Sequence, residues 1–281
     1  MKIKIAKDAG YCFGVRDAVN LAYDTAEKYG NVYMLGDIVH NERVVSDLNN
    51  AGAKIVDNLN DIPDHSPVLF RAHGTRQDIW EDAKKRNLDI IDATCPLVHE
   101  IHHEVKKLEK EGRKIIIIGD HGHDEVIAIA NQAKNPLIIS NKEQAKNIRK
   151  IKKAGIVSQS TQMIENVQEI ISVLMKKIFD LRFVNTICFP TKRNHEQIKS
   201  MAEDNDIMII IGSFTSANSK RLTELSKQRN DNSYQVTCAD DLNLSWFRGV
   251  DSVGISAGAS TPDYLIKEVE DKIKNIDKDR I

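Results

Sequence analysis

The central stretch DATCPLVHEIHHEVKKLEKEGRKIIIIG (residues 92–119) reads as a cysteine, a helix and an apolar strand closed by a glycine. Leu97, Ile101, Val105 and Leu108 recur at helical spacing and predict one buried face. Cys95 opens this segment and Gly119 closes it. The same grammar appears twice more. Cys12 precedes FGVRDAVNLAYDTAEKYG and the strand VYMLG, which ends at Gly36. Cys188 precedes FPTKRNHEQIKSMAEDN and the strand IMIIIG, which ends at Gly212. The interval from cysteine to glycine is identical in all three segments. Successive cysteines are therefore spaced as successive glycines are. Shared offsets of this kind mark internal repeats.

The remainder of each third agrees. A second helix follows the glycine (NERVVSDLNNAG, DEVIAIANQAK, ANSKRLTELSKQ), then a short strand (AKIV, PLIIS, SYQVT). A third strand ends in polar residues (VLFRAHG, GIVSQST, VGISAGAS) and leads into another helix. LDIIDATC and LRFVNTIC close the first two thirds and deliver the next cysteine. The final third lacks this closing strand, and the N-terminal KIKIAKDAGYC resembles the missing piece. Alternating strands and helices imply parallel sheets with right-handed crossovers. The expectation is an α/β trefoil of three small pseudo-threefold units with parallel sheets around a central cavity. The units are 13–95, 96–188 and 189–281, the last completed by strand 1–12.

Composition narrows the function. The 281 residues carry 40 Lys+Arg against 41 Asp+Glu, a formal net charge of −1. A dedicated nucleic-acid or membrane-surface protein needs a basic surplus, so neither partner is expected. No apolar run approaches the ~18 residues of a membrane span. The N-terminus has no apolar signal region, and four cysteines are too few for a disulfide scaffold, so a cytoplasmic location is expected. The lysine-rich KNIRKIKK, ending at Lys153, reads as a solvated face.

Ligands of parallel α/β units sit beyond the carboxyl ends of the strands. Cys12, Cys95 and Cys188 occupy those ends, each just before a helix whose positive end favours a thiolate. Three such thiolates suit a metal centre. Tetrahedral zinc and a 4Fe–4S cluster both normally take four protein ligands. Cys238 has no counterpart in the other thirds and reads as a core or surface thiol. Three cysteines on a four-iron cubane leave one iron open, as a catalytic centre requires. Four residues after each glycine come His40, His123 and Ser216. The third strands end in His73, in Ser160 and Thr161, and in Ser260. With Asn218 these form a donor-rich wall suited to phosphate or diphosphate oxygens. No Walker A or GxGxxG element is present. Glu125, two residues after His123, is placed either to deliver protons or to begin a helix; its counterpart Glu42 reads as a helix-start acid.

The segments YCFGVRDAV, GDIVHN, RAHG, DATCPLV, SQST, NTIC, SANS and SAGASTPD resemble, in order and over nearly the whole chain, the 4-hydroxy-3-methylbut-2-enyl diphosphate reductase (IspH/LytB) family. The resemblance implies a trefoil around a 4Fe–4S cluster and the last step of the non-mevalonate isoprenoid pathway. That step is a two-electron reductive dehydroxylation giving isopentenyl and dimethylallyl diphosphates. It implies iron ligation by Cys12, Cys95 and Cys188. Diphosphate binding would fall to His40, His73, His123, Ser216, Asn218 and Ser260. Glu125 would be the proton source beside the hydroxyl of Ser160, and ferredoxin or flavodoxin the electron donor.

Four departures accompany the resemblance. SQST stands for the usual SQTT, SANS for SSNS, and HDEV for HPEV, which puts Asp124 near the expected anion site. FPTKRNHE replaces the ATxxRQ pattern, making Pro190, Asn194 and His195 unusual. They leave room for a paralogue acting as a non-catalytic iron–sulfur sensor, or for an iron–sulfur hydro-lyase. HEIHH (99–103) formally matches the HExxH zinc signature, but its histidines fall toward the polar side of the predicted helix.

Overall fold

The computed structural model describes residues 1–278; the last three residues of the third expected unit lie outside the described residues. In chain order the elements begin with β1 (Lys2–Ile5), α1 (Phe13–Tyr29), β2 (Val32–Leu35), α2 (Glu42–Asn50), β3 (Ala53–Val56), β4 (Pro67–Phe70), α3 (Gln77–Lys85) and β5 (Asp89–Asp92). The middle of the chain supplies α4 (Pro96–Lys110), β6 (Lys114–Ile118), α5 (Asp124–Ala130), β7 (Leu137–Ile139), α6 (Lys142–Asn147), β8 (Ile151–Ser158), α7 (Ile164–Leu174) and β9 (Ile178–Phe183). The last third supplies α8 (Phe189–Asp204), β10 (Ile207–Ile211), α9 (Ala217–Lys227), β11 (Ser233–Val236), β12 (Ser252–Ala257) and α10 (Asp263–Lys278).

Three four-stranded sheets result, ordered β3-β2-β4-β5, β7-β6-β8-β9 and β11-β10-β12-β1. Every pairing is parallel. The three orders are one order written three times, with the glycine strand second and the cysteine strand last. In the third sheet the cysteine strand is β1, whose Lys2–Ile5 pair with Ser252–Ile255. The N-terminal ammonium meets Asp277 of α10 at 2.7 Å, so both ends of this segment are held in one sheet-and-helix layer. Helices alternate with parallel strands because a parallel pair needs a long crossover, and a helix covers the sheet face it crosses. β6 and β10 show the consequence: Ile115–Ile118 and all of β10 are buried, which explains their uninterrupted apolar runs.

The chain packs as two compact units. One comprises Met1–Arg16, Val39–Ser46 and Phe189–Ile281; the other comprises Asp17–Ile38 and Asp47–Cys188. The first contains the β1 sheet, whose core joins Ile209, Ile211, Val253 and Ile255 to Leu265, Val269 and Ile273 of α10. Each such side chain contributes about 1.5–3 kcal/mol when fully buried. The second unit holds the other two sheets, with cores around Val68 and Phe70 and around Ile116, Ile156 and Ile170. The lysine-rich segment is a solvated face only in part: β8 begins at Ile151, Ile148 and Ile151 pack on the core, and Lys153 is half-buried with its Nζ donating to the Glu111 carbonyl at 2.7 Å. Among the described residues no helix is long and apolar enough to cross a membrane.

α4 departs from expectation at its face. Val98, Ile101, His102, Val105 and Leu108 are buried, while Leu97 is only partly so. The inward stripe thus runs one residue later in the first turn, and it includes a histidine. His102 is tucked beneath Gly74, where a Cβ would meet its Cε1 at 3.0 Å, and its Nε2 has no hydrogen-bond partner. Burial, and then the neighbouring His99 and Lys106, push its pKa down to about 4 from 6.5. The unfolded chain takes up this proton near 6.5, so between the two values the unfolded state binds more protons. Stability is complete above that window and is lost as pH falls through it. Chemical unfolding should show a loss on the order of 2 kcal/mol between pH 7 and pH 5 that His102→Gln removes. An unchanged pH slope in the variant would assign the acid sensitivity elsewhere.

Candidate active site

The repeat places equivalent atoms at the carboxyl ends of the strands. Each strand-ending glycine donates its N–H to the end of the next strand: Gly36 to Val56, Gly119 to Ile139, and Gly212 to Val236. Each of the three cysteines also donates its N–H to the third-strand loop: Cys12 to Ala259 (3.4 Å), Cys95 to Ala72 (3.0 Å) and Cys188 to Ser160 (2.9 Å). The residues following those acceptors are Ser260, His73 and Thr161. Cysteine backbone and candidate ligand-binding side chains are therefore tied together by main-chain hydrogen bonds in every third.

Cys12, Cys95 and Cys188 stand immediately before α1, α4 and α8, partly exposed and outside any disulfide. Soft thiols at helix starts are donors of the kind that iron–sulfur clusters take. They do not describe a single-ion site, and among the described residues no three His, Cys, Asp or Glu side chains converge closely enough for one. Cys238 is different. It caps the short 3₁₀ turn at Ala239–Asp241 in a reciprocal box with Asp241.

In the unit that holds Cys95 and Cys188, Glu125 is 2% exposed. Its Oε1 accepts the Ser160 N–H at 2.6 Å and its Oε2 accepts the Ser160 hydroxyl at 2.7 Å. His123 caps α5, its Nδ1 accepting the Glu125 N–H at 3.2 Å. That bond requires a lone pair on Nδ1 and leaves Nε2–H as a donor in the neutral ring. The His73 and His123 rings meet edge to face, 5.7 Å apart.

In the other unit, Ser216 caps α9 by accepting the Ser219 N–H. Asn218 is 6% exposed, and neither its amide nitrogen nor its oxygen has a hydrogen-bond partner. Leaving a buried polar atom unpaired costs about 1–3 kcal/mol, which a ligand oxygen would relieve. Ser260 donates to the His40 carbonyl at 3.0 Å. Glu42, at the repeat position of Glu125, accepts from Ser213 at 2.6 Å and Thr215 at 3.3 Å, a local anchoring role.

Three of the departures find local partners. Ser160 keeps the hydroxyl that Glu125 uses. Asn194 donates to the Ala257 carbonyl at 3.3 Å, at the root of the loop carrying Ser260. Asp124 is ion-paired with Arg71 at 2.7 Å, so its charge does not stand alone. The sequence pattern missed that pair and missed His102; position two before His73 was the available signal for Arg71. In the HEIHH string, His99 engages Asp92 at 3.0 Å and His103 is exposed.

A repeated parallel α/β fold with a cysteine at each cysteine-strand end defines a class, and the comparisons name it. The LytB protein family model matches residues 3–274. The chain belongs to the LytB family. A relative from Geobacter sulfurreducens, 39% identical over 278 residues (99% of this chain, 98% of the relative), is named 4-hydroxy-3-methylbut-2-enyl diphosphate reductase. One from Aquifex aeolicus is 38% identical, covers 98% of this chain and 96% of its own length, and has the same name. The solved E-1-hydroxy-2-methyl-but-2-enyl-4-diphosphate reductase from Plasmodium falciparum superposes with TM-score 0.93 at 29% identity, over 96% of this chain and 87% of its own. A second solved structure, a terminal enzyme of the non-mevalonate pathway, gives TM-score 0.71 at 36% identity over 98% and 100%.

Proposed function

We propose that the chain reduces 4-hydroxy-3-methylbut-2-enyl diphosphate with two electrons and two protons, releasing water and giving isopentenyl and dimethylallyl diphosphates. The three repeats, 13–95, 96–188 and 189–281 with strand 1–12, would each contribute one cysteine. Cys12, Cys95 and Cys188 would hold a 4Fe–4S cluster. When bound, the cluster supplies the electrons, received from ferredoxin or flavodoxin, and a Lewis-acidic iron for the substrate hydroxyl. His40, His73, His123, Ser216, Asn218 and Ser260 would bind the diphosphate, with His123 donating from Nε2. Glu125 would move the proton, passing it through the Ser160 hydroxyl, a group able to donate and accept. A small-molecule substrate and a cytoplasmic setting complete this reading.

The observation that carries it is the link Glu125–Ser160–Cys188. A buried carboxyl accepts both the backbone N–H and the hydroxyl of Ser160, and the carbonyl of the same serine receives the Cys188 N–H. Ser160 thereby links the candidate proton donor to the backbone of a candidate cluster cysteine. The test is anaerobic turnover of the hydroxy-diphosphate with a low-potential reductant, products being identified by chromatography. Reductant-dependent formation of both diphosphates supports the proposal. A cluster-loaded protein without turnover would identify a sensor, and reductant-independent turnover a hydro-lyase.

The unpaired amide gives a sharper check on the binding residues. Asn218→Ala should raise KM roughly 10- to 100-fold, equivalent to about 1–3 kcal/mol, without lowering thermal stability. A lower melting temperature with unchanged KM would make Asn218 a structural residue.

A further inference from the structure

Arg71 and Asp124 have no part in the reaction described above, yet they flank two of its histidines. Arg71 Nη1 donates to Asp124 Oδ2 at 2.7 Å, and both side chains are about one-quarter exposed. Arg71 stands two residues before His73, in the turn closed by the Gly74 N–H on the Arg71 carbonyl at 3.1 Å. Asp124 directly follows His123 and is the first residue of α5. The ion pair and the edge-to-face His73–His123 contact therefore connect the same two loops. A third element lies beside the guanidinium. Gly36, at the end of β2, has φ +73°, and a Cβ there would lie 2.9 Å from Arg71 Nη1. The arginine side chain thus passes close over Gly36, running from the end of β2 to the start of α5.

We propose that the Arg71–Asp124 pair is a positioning clamp that holds His73 and His123 at the separation needed to grip one diphosphate. This rests on the reading of those histidines as diphosphate ligands. A phosphate site built from groups on two loops binds tightly only if those loops are held in place before the ligand arrives. Asp124 would then act through its partner and not on the substrate. Arg71, being engaged by Asp124, would serve the geometry of the site and not its charge. An ion pair with two side chains partly withdrawn from water is screened less than a surface pair, so it can perform this task at physiological salt.

The test uses the cluster-loaded full chain and two readouts: calorimetric binding of inorganic diphosphate and steady-state kinetics with the hydroxy-diphosphate. Asp124→Asn should weaken diphosphate binding and raise KM by about 5- to 20-fold, with kcat and iron content nearly unchanged. Arg71→Met should produce a loss of the same size, and the double variant no further loss. Asp124→Glu, which keeps a carboxylate, should recover most of the affinity. Tighter binding by Asp124→Asn would overturn the clamp and make Arg71 a direct anion ligand restrained by Asp124. A fall in kcat alone would also overturn it. If the unsubstituted protein fails to bind inorganic diphosphate, the histidine reading itself fails and the clamp with it. Normal binding by the unsubstituted protein and by Asp124→Asn removes the clamp alone.

Discussion

Glu125→Gln is expected to lower kcat by ~10²–10⁴-fold, the range for loss of a positioned general acid. The substitution is unusually clean at this site. Glu125 is buried and uses both oxygens on Ser160, accepting the backbone N–H at one and the hydroxyl at the other. A glutamine can keep its oxygen on the N–H and turn its amide NH₂ toward the Ser160 hydroxyl, which then accepts. The loop that presents Ser160 to the Cys188 N–H should consequently stay in place. Only the transferable proton is lost. KM and iron content should therefore remain within about twofold while kcat collapses, the signature of an interaction needed in the transition state. Ser160→Ala should also reduce kcat, by removing the relay hydroxyl, whereas Ser160→Thr should preserve it. Turnover by Glu125→Gln close to that of the unsubstituted enzyme would leave the carboxyl as a tether for the Ser160 loop.

What the sequence made legible was periodic. Equal offsets from Cys12 to Gly36, Cys95 to Gly119 and Cys188 to Gly212 predicted repeated units, and the sheets repeat one strand order three times. The incomplete last third predicted that KIKI would be borrowed, and β1 pairs with β12 in register from Lys2↔Ser252. Apolar runs such as IMIII read correctly because a strand covered on both faces carries no alternating signal. The pair Glu125 and Ser160 could be named from the resemblance, but a separation of 35 residues hides which backbone and side-chain donors meet. His102 was missed for a related reason: one residue in a helix turns the side chain by about 100°, so HEIHH gives no sign of which histidine faces inward. Arg71 and Asp124 lie 53 residues apart, and sequence spacing conveys nothing about an ion pair at that range.

The cysteines allow the largest expected loss to be set against a near-silent control in the same chain. Cys188→Ser should abolish cluster binding and bring turnover to background. Serine is nearly isosteric and retains the backbone N–H that Ser160 accepts, so the start of α8 should form normally. What changes is ligand softness: an alkoxide or hydroxyl is a poor replacement for thiolate on iron–sulfur iron. Iron and sulfide should fall together while circular dichroism stays unchanged. Cys238→Ser should retain cluster, turnover and stability. Cys238 caps a 3₁₀ turn through its side chain while Asp241 accepts its N–H at 3.4 Å, and a serine hydroxyl serves that cap at least as well. The contrast separates two properties that the thiols share, since all four are partly exposed and outside disulfides. If exposure and thiol chemistry alone decided cluster binding, the two variants would behave alike. If position in the repeat decides it, only Cys188→Ser fails. A Cys188→Ser protein that keeps its iron, or a Cys238→Ser protein that loses it, would refute the assignment of one cysteine per repeat.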